Sequence, residues 1–593
     1  MLHERALLNG EWTRSISQER FDVEGMHTSD IVIRLTCTDT SLDPGKGQVF
    51  ATCPVNKVVD VDAHVRTSQE AFQHYSQVNP RQRAKWLLKW HDLIANARED
   101  IAKLLVYETG KPLVEARGEV DYALGFAWWF AGEAERIRGS IAIPSVSERR
   151  TFVVKQPIGV SVALVPWNFP VAMVIRKVAA ALAAGCTMIV KPSPETPFTV
   201  LALADLALRA GFPPGALNII TTDNANTPSV SEALCKHALV RKVTFTGSTS
   251  IGKLIAKHCS AGLKKVTLEL GGNCPFIVFD DADLDRAVAA LMILKWRTAG
   301  QACTHANRVY VQSAVYDRFA RLMVEATRDL RVGHGIDSST TMGPLTTSKG
   351  IEKMENHIRD AKAKGGKVLC GGDRIRELEG YFFQPTIISN MTSDMLTTQE
   401  EIFGPLLGLY KFETEAEVVK LANDTSMGLA SYFFTNDVSR NWRLLEKLEA
   451  GMIGMNTGPS DVRARTTQKF VMLISRQATH LQRKRPSGAS KSRDMAKKLE
   501  KMLLSRSTSS QSRPLLQSEP SLSCERRVEC WSYDTKMRLY PVLGNAVCAR
   551  PLHIVIRETI SQSSSTIVRF NCFPPSVLHT PVRSNQSLTK SCI

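Results

Sequence analysis

Between Gly159 and Gly247, short apolar runs alternate with longer segments whose apolar residues recur at three- and four-residue spacing, and nothing else in the 593-residue chain restricts its fold as much. GVSVALVP reads as a strand, PVAMVIRKVAAALAAG as a helix, CTMIVKP as a strand and FTVLALADLALRAG as a helix closed by Gly211. LNIIT, VRKVTFTG and VTLELGG extend the strand series. Alternation at so short a repeat predicts a parallel sheet covered on both faces, with ligands held beyond the strand carboxyl ends. A second series begins at Asn273 with NCPFIVFD, passes through a helix to Thr298 and the strand RVYVQ, and continues to the segment Gly451 to Asn456. The fold class is therefore α/β, with two doubly wound domains. Upstream, helical periodicity covers Val58 to Phe72 and Gln82 to Tyr107, and the stretch Glu24 to Ser41 reads as an insertion into the early strand pattern.

Composition sets the class of molecule. Hydrophobic residues at 43% and charged residues at 22% belong to a globular chain, and no apolar run reaches membrane-spanning length. The opening MLHERALLNGEWTRS lacks an apolar signal core, so a cytoplasmic address is expected, with no membrane partner. Thirteen cysteines without CxxC pairs or regular spacing predict reduced thiols and no metal site. The net charge of +17 suggests a polyanion partner until its distribution is examined: residues 459 to 593 hold 23 Lys and Arg against 8 Asp and Glu, which leaves the first 458 residues nearly neutral. No nucleic-acid partner is expected. Beyond Gly458 the chain becomes Ser-rich with basic clusters such as Arg483-Lys484-Arg485, and a basic, disordered or misfolded tail is expected.

Chemistry concentrates in a few short motifs. GQACTHANR places Cys303 in a small-residue loop between a helix and a strand, where a thiolate can reach a carbonyl carbon, although an isolated cysteine is more often buried and inert. ELGG places Glu269 at a strand end before two glycines, where a carboxylate beside a cleft can take a proton from water. PWNFP sets Asn168 between prolines at another strand end, its amide free to donate to an oxygen that becomes negative. FTGSTSIGK brackets a strand-to-helix turn with Gly247 and Gly252, whose backbone can approach a pyrophosphate.

In the order PWNFP, KPSPETP, FTGSTSIG, ELGG, GQAC and EEIFGP, residues from about 5 to 458 resemble the aldehyde dehydrogenase superfamily, and most of all its succinate-semialdehyde branch. The resemblance implies residues 1–132 and 152–269 as a cofactor-binding domain, with 24–41 inserted, 133–151 as an oligomerisation arm, and 270–458 as a catalytic domain whose C-terminal part is incomplete. It implies Cys303 as nucleophile, Glu269 as general base and Asn168 with the Cys303 N–H as oxyanion hole. It also implies NAD or NADP bound by Trp167, Lys191, Ser193, Glu195, Gly247, Ser248, Gly252, Leu270, Glu401 and Phe403. Members that prefer NAD often carry Glu where this chain has Pro194, so NADP is expected to be tolerated or preferred. Arg176 and Arg297 are expected to grip the distal carboxylate of a short semialdehyde.

Two departures accompany the resemblance. His305 stands where the branch often carries a second cysteine, so no redox pair is expected there, and a local hydrogen bond is. After GMIGMNTG neither the family's substrate loop nor its final strand is recognisable. A homodimer or homotetramer is the family's expectation. Two alternatives remain open: a chain that keeps the catalytic constellation but does not assemble, and a basic tail that serves as an arm for anionic polymers.

Overall fold

A computed structural model describes residues 5–15, 19–24, 45, 49–146 and 148–457, together with the strands Met472–Ser475, Glu529–Ser532 and Thr535–Arg538. It divides into two units, residues 1–481 and 482–593. In the second unit the described residues form one antiparallel ribbon, Glu529–Ser532 with Thr535–Arg538.

The first unit is α/β, built on two parallel-rich sheets, as the alternation predicts. In the first sheet, Lys265–Glu269, Val240–Thr246, Val160–Leu164, Thr187–Lys191 and Leu217–Ile219 run parallel in that order, and the hairpin Ala6–Leu8 with Glu11–Thr13 adds an antiparallel edge. Val160–Leu164 and Thr187–Lys191 are buried along their whole length, which accounts for their unbroken apolar runs.

Nine helices precede the nucleophile among the described residues: α1 (Val58–Tyr75), α2 (Pro80–Asn96), α3 (Arg98–Thr109), α4 (Leu113–Ala134), α5 (Pro170–Ala183), α6 (Pro197–Ala210), α7 (Thr227–Lys236), α8 (Thr249–Ser260) and α9 (Leu284–Trp296). Proline at the first turn starts α2, α5 and α6, where its fixed φ suits the helix and its missing N–H is no loss. Along α4, Ala116, Ala123, Ala127, Ala131 and Ala134 make a small-residue face buried against α2 and α5. Its other face exposes Tyr122, Trp128 and Trp129. No helix among the described residues is long and apolar enough to cross a membrane.

The second sheet orders Lys367–Cys370, Thr386–Ser389, Leu406–Phe412, Ala306–Gln312, Cys274–Val278, Ala430–Phe434 and Met452–Met455, parallel except at the first pair. Four residues of the expected tail, Met472–Ser475, pair antiparallel with Met452–Met455 and extend this sheet. Nearly all the rest of the tail, and the expected insertion after Glu24, lie outside the described residues. Ser140–Ala142 of the expected arm pairs antiparallel with Thr151–Val153, which runs two residues past the arm's expected end at residue 151, and the residues of this ribbon are all exposed.

Candidate active site

The first sheet reverses direction beside Val160–Leu164: the chain steps outward through Thr187–Lys191 and Leu217–Ile219, then returns to the opposite side as Val240–Thr246. Such a switch point leaves a crevice at the strand carboxyl ends. Trp167 and Asn168 follow one of the two strands that flank it, and Gly247 and Ser248 follow the other. Ser248 is the exposed cap of α8, its Oγ accepting from the Ile251 N–H at 3.5 Å. The Gly247 N–H donates to the Glu269 carbonyl at 3.1 Å, which ties this turn to the end of the neighbouring strand. A side chain at Gly252 would strike Leu270, because an added Cβ would lie 2.3 Å from its Cδ2.

Cys303 follows an unusual turn. Helix α9 ends at Trp296, two residues short of the expected Thr298, because Thr298, Ala299 and Gly300 all take left-handed φ values of 52°, 49° and 76°. Such conformations are costly for a β-branched residue such as threonine and persist only where the surroundings hold them. Those surroundings are visible. Glu115 accepts from the Thr298 N–H at 2.7 Å and its hydroxyl at 3.1 Å, and a Cβ on Gly300 would lie 2.1 Å from the Gly404 carbonyl oxygen. The Asn168 side-chain amide donates to the Gln301 carbonyl at 2.9 Å.

The glycines after Glu269 bring the remaining motifs to the same place. An added Cβ on Gly271 would lie 2.5 Å from Glu401 Oε2, and one on Gly272 would lie 2.3 Å from the Cys303 carbonyl oxygen. The Gly272 N–H donates to Glu401 Oε1 at 3.2 Å. Burial first, then the carboxylates of Glu401 and Glu269, push the half-buried Cys303 thiol up to about 11, while Arg176 opposes them. Burial also raises the Glu401 carboxyl to about 7. Burial first, then the nearby Lys295, push His305 down to about 3.

On the crevice side a cavity of about 550 Å³ is lined by Trp167, Pro194, Glu195, Asp223 and Asn224, among others. Lys191 is buried, donates to the Pro192 carbonyl at 2.8 Å, and is pushed down to about 8 by that burial. Ser193 donates to the Glu195 carboxylate, which also accepts from Asn224 at 3.4 Å. Trp167 meets Phe403 edge-on, ring centroids 5.6 Å apart, with Phe403 itself at a φ of 54°.

The two arginines share one property: among the described residues, neither has a carboxylate within ion-pair distance. Arg176 accepts support from the Phe126 ring at 4.9 Å and donates to the Tyr122 hydroxyl at 3.1 Å, its Nε buried without a partner. Arg297 lies over the Phe169 ring at 5.4 Å.

Several residues around the site escape sequence reasoning. Lys177 is buried against Thr244 and Thr246 and pushed down to about 8 by burial. Lys111 and Glu119 form a fully buried ion pair at 2.5 Å. Glu108 accepts from the backbone N–H groups of Phe198 and Thr199 at the start of α6. Their only sequence signal is charge at helical spacing, which ordinarily marks a solvated face.

A thiol with two carboxylates near it and an amide donor bonded two residues away suit addition to a carbonyl followed by hydrolysis. Comparison with known proteins gives the family. The aldehyde dehydrogenase family matches residues 37–470. The NADP(+) succinate-semialdehyde dehydrogenase of Escherichia coli is 44% identical over 458 residues, covering 77% of this chain and 90% of that protein. The glutarate-semialdehyde dehydrogenase of Pseudomonas putida has the same identity and coverage. The crystal structure of succinate-semialdehyde dehydrogenase from Burkholderia pseudomallei superposes with a TM-score of 0.73 at 42% identity, over 77% of this chain and 90% of that one.

Proposed function

Because this chain belongs to the aldehyde dehydrogenase family, we propose that it oxidises succinate semialdehyde, or a short aldehyde like it, to the carboxylic acid with NADP or NAD. The observation that carries the substrate class is the pair of arginines. Two guanidiniums held against aromatic rings near Cys303, neither within ion-pair distance of a carboxylate among the described residues although the Glu115 carboxyl acts on Arg297 through space, suit a substrate that brings its own carboxylate.

The residues lining the crevice fit a dinucleotide. Trp167, Pro194 and Glu195 line a cavity continuous in sequence with the buried ammonium of Lys191, and the α8 amino terminus at Ser248 offers backbone N–H groups to phosphate. Gly247, Gly252 and Leu270 shape that turn, while Glu401 and Phe403 face it from the second sheet. A proline at position 194 removes the carboxylate that would repel a 2′-phosphate there, so NADP is accepted once Ser193 exchanges its bond to Glu195 for the phosphate.

In this mechanism Glu269 takes the Cys303 thiol proton and passes it to solvent as Sγ adds to the aldehyde carbon, which leaves the carboxylate free for the hydrolytic step. One N–H of the Asn168 amide is spent on the Gln301 carbonyl, and the other, with the Cys303 N–H, takes the oxygen that becomes negative. The bound nicotinamide supplies the hydride acceptor. Glu269 then draws a proton from the water that cleaves the thioester, releasing the acid and restoring the thiol. The exposed ribbon, with Ile141, Ile143, Phe152 and Val154 more than two-thirds solvent-accessible, is the surface for a second copy in a homo-oligomer.

Reduction of NADP and NAD by the purified full chain, with succinate semialdehyde and with uncharged propanal, tests this reading. Cys303→Ala should lower turnover by about four orders of magnitude or more. Arg176→Gln and Arg297→Gln should each raise KM for the semialdehyde and leave that for propanal unchanged. Absence of turnover with any aldehyde, or arginine variants that weaken both substrates equally, would overturn it.

A further inference from the structure

Glu115 and Glu119 lie four residues apart in the first two turns of α4, which sets both on one face of the helix, and Lys111 lies just before its start. That face points inward. Glu115 takes the Thr298 N–H and hydroxyl, so it grips the left-handed turn five residues before the nucleophile. One turn further on, about 6 Å along the axis, Glu119 takes the N–H groups of Val171 and Ala172 at the start of α5. It also pairs with Lys111, whose ammonium donates to the Asn168 carbonyl at 2.8 Å. The Phe169 ring has Lys111 at 4.5 Å and Arg297 at 5.4 Å, joining the same two loops again.

We propose that the start of α4 is the positioning element of the site, with Glu115 as the residue that holds the nucleophile turn at a fixed distance from the Asn168 loop. The inference rests on the reading of Cys303 as nucleophile and Asn168 as oxyanion donor. Cys303 belongs to the second sheet's connections and Asn168 to the first sheet's, and the direct link between the two loops is the single bond from the Asn168 amide to the Gln301 carbonyl, which does not reach the left-handed residues Thr298 and Ala299. Two successive turns of one helix, Glu115 bonded to the nucleophile turn and Glu119 to the start of α5, add a rigid second link between the loops. Thr298 at a φ of 52° needs such a hold, because a β-branched residue relaxes out of this conformation once released.

Two conservative variants separate geometry from charge. Glu115→Gln keeps an acceptor oxygen in place and loses the charge. Glu115→Asp keeps the charge and withdraws the carboxylate from Thr298 by about 1.5 Å. Positioning predicts that Glu115→Asp lowers kcat about 100-fold with both KM values within about threefold, whereas Glu115→Gln stays within about fivefold of the parent. Adding Thr298→Gly to Glu115→Asp should restore about tenfold, because glycine holds a left-handed φ without help. The opposite order, with Gln the worse variant, or no recovery in the double variant, would overturn the proposal. Alkylation of Cys303 by iodoacetamide, read by peptide mass spectrometry, needs neither aldehyde nor cofactor. It should quicken at least threefold in Glu115→Asp and not in Glu115→Gln, as the thiol leaves its buried setting. Equal alkylation in all three proteins would sink the positioning role even if the parent turns over no aldehyde, while inactivity of the parent with this rank order intact would count against the assigned reaction alone.

Discussion

Two groups of buried charges flank Cys303, and the chain treats them in opposite ways. At the α3–α4 corner, Lys111, Glu108 and Glu119 are buried and all are bonded: Lys111 to Glu119 and the Asn168 carbonyl, Glu108 to the start of α6, Glu119 to the start of α5. Behind the nucleophile, Lys295, His305 and His357 are as deeply buried, yet among the described residues Lys295 Nζ, His305 Nδ1 and both ring nitrogens of His357 have no hydrogen-bond partner, with His357 Nε2 3.8 Å from the Glu400 carboxylate. Burial penalises a charge, and the penalty is met either by partners or by loss of the charge. The second group loses it: burial pushes Lys295 down to about 7, His357 to about 4 and His305 to about 3. Partners offset the penalty only in part, since Glu108, with three bonds, is still pushed up to about 8. The bonded side fixes geometry, and the unbonded side keeps positive charge away from a thiol that burial already holds protonated.

The largest expected effect breaks the bonded side. Glu119→Leu strands the Lys111 ammonium in a dry interior and frees two N–H groups of α5, so it should cost about 3–5 kcal/mol of stability in urea unfolding. The double variant Lys111→Met/Glu119→Leu, which leaves no buried charge, should regain most of that loss. A single variant that costs under about 1 kcal/mol would mean the pair holds nothing, and the contrast between the two sides would fail.

Removing a charge from the unbonded side should do the reverse. The folded chain gives up the Lys295 proton near pH 7, whereas the unfolded chain keeps it to about pH 10.5. Between those values the unfolded state binds more protons, so this group's contribution to stability rises with pH, by at most about 1.4 kcal/mol per unit. Lys295→Met should remove that slope and exceed the parent in stability at pH 6 to 7, by about 1–3 kcal/mol. Urea midpoints measured from pH 6 to pH 10 decide it, and an unchanged slope would show that Lys295 keeps its proton in the fold.

The contrast also explains what was legible in the sequence. Strands such as VSVAL and TMIVK are buried on both faces and therefore print as apolar runs, and the site motifs sit at their ends because a parallel sheet opens there. The left-handed turn was not legible: Thr298 and Ala299 are poor residues for it, and what keeps them there is Glu115, far away in sequence. Lys111, Glu115 and Glu119 carry the spacing of a solvated helix face, and only tertiary packing turns that face inward. Lys295 likewise lies in the last turn of α9, where a lysine ordinarily reaches solvent. Periodicity reports which residues share a face, and it does not report whether a charged face meets water or another loop.

The smallest expected effect tests whether the unbonded side stays uncharged beside the nucleophile. A protonated imidazole at His305 would stabilise the Cys303 thiolate, and the pH dependence of alkylation would then bend near neutrality. With His305 pushed down to about 3, the ring is neutral throughout that range. Alkylation of Cys303 by iodoacetamide should therefore rise about tenfold per pH unit from pH 7 to 9.5 with no plateau, since the thiol lies near 11. His305→Asn should change the rate by less than about twofold and leave the slope alone. A bend near pH 6 to 7 that disappears in His305→Asn would place a positive charge on the side from which burial is argued to exclude it.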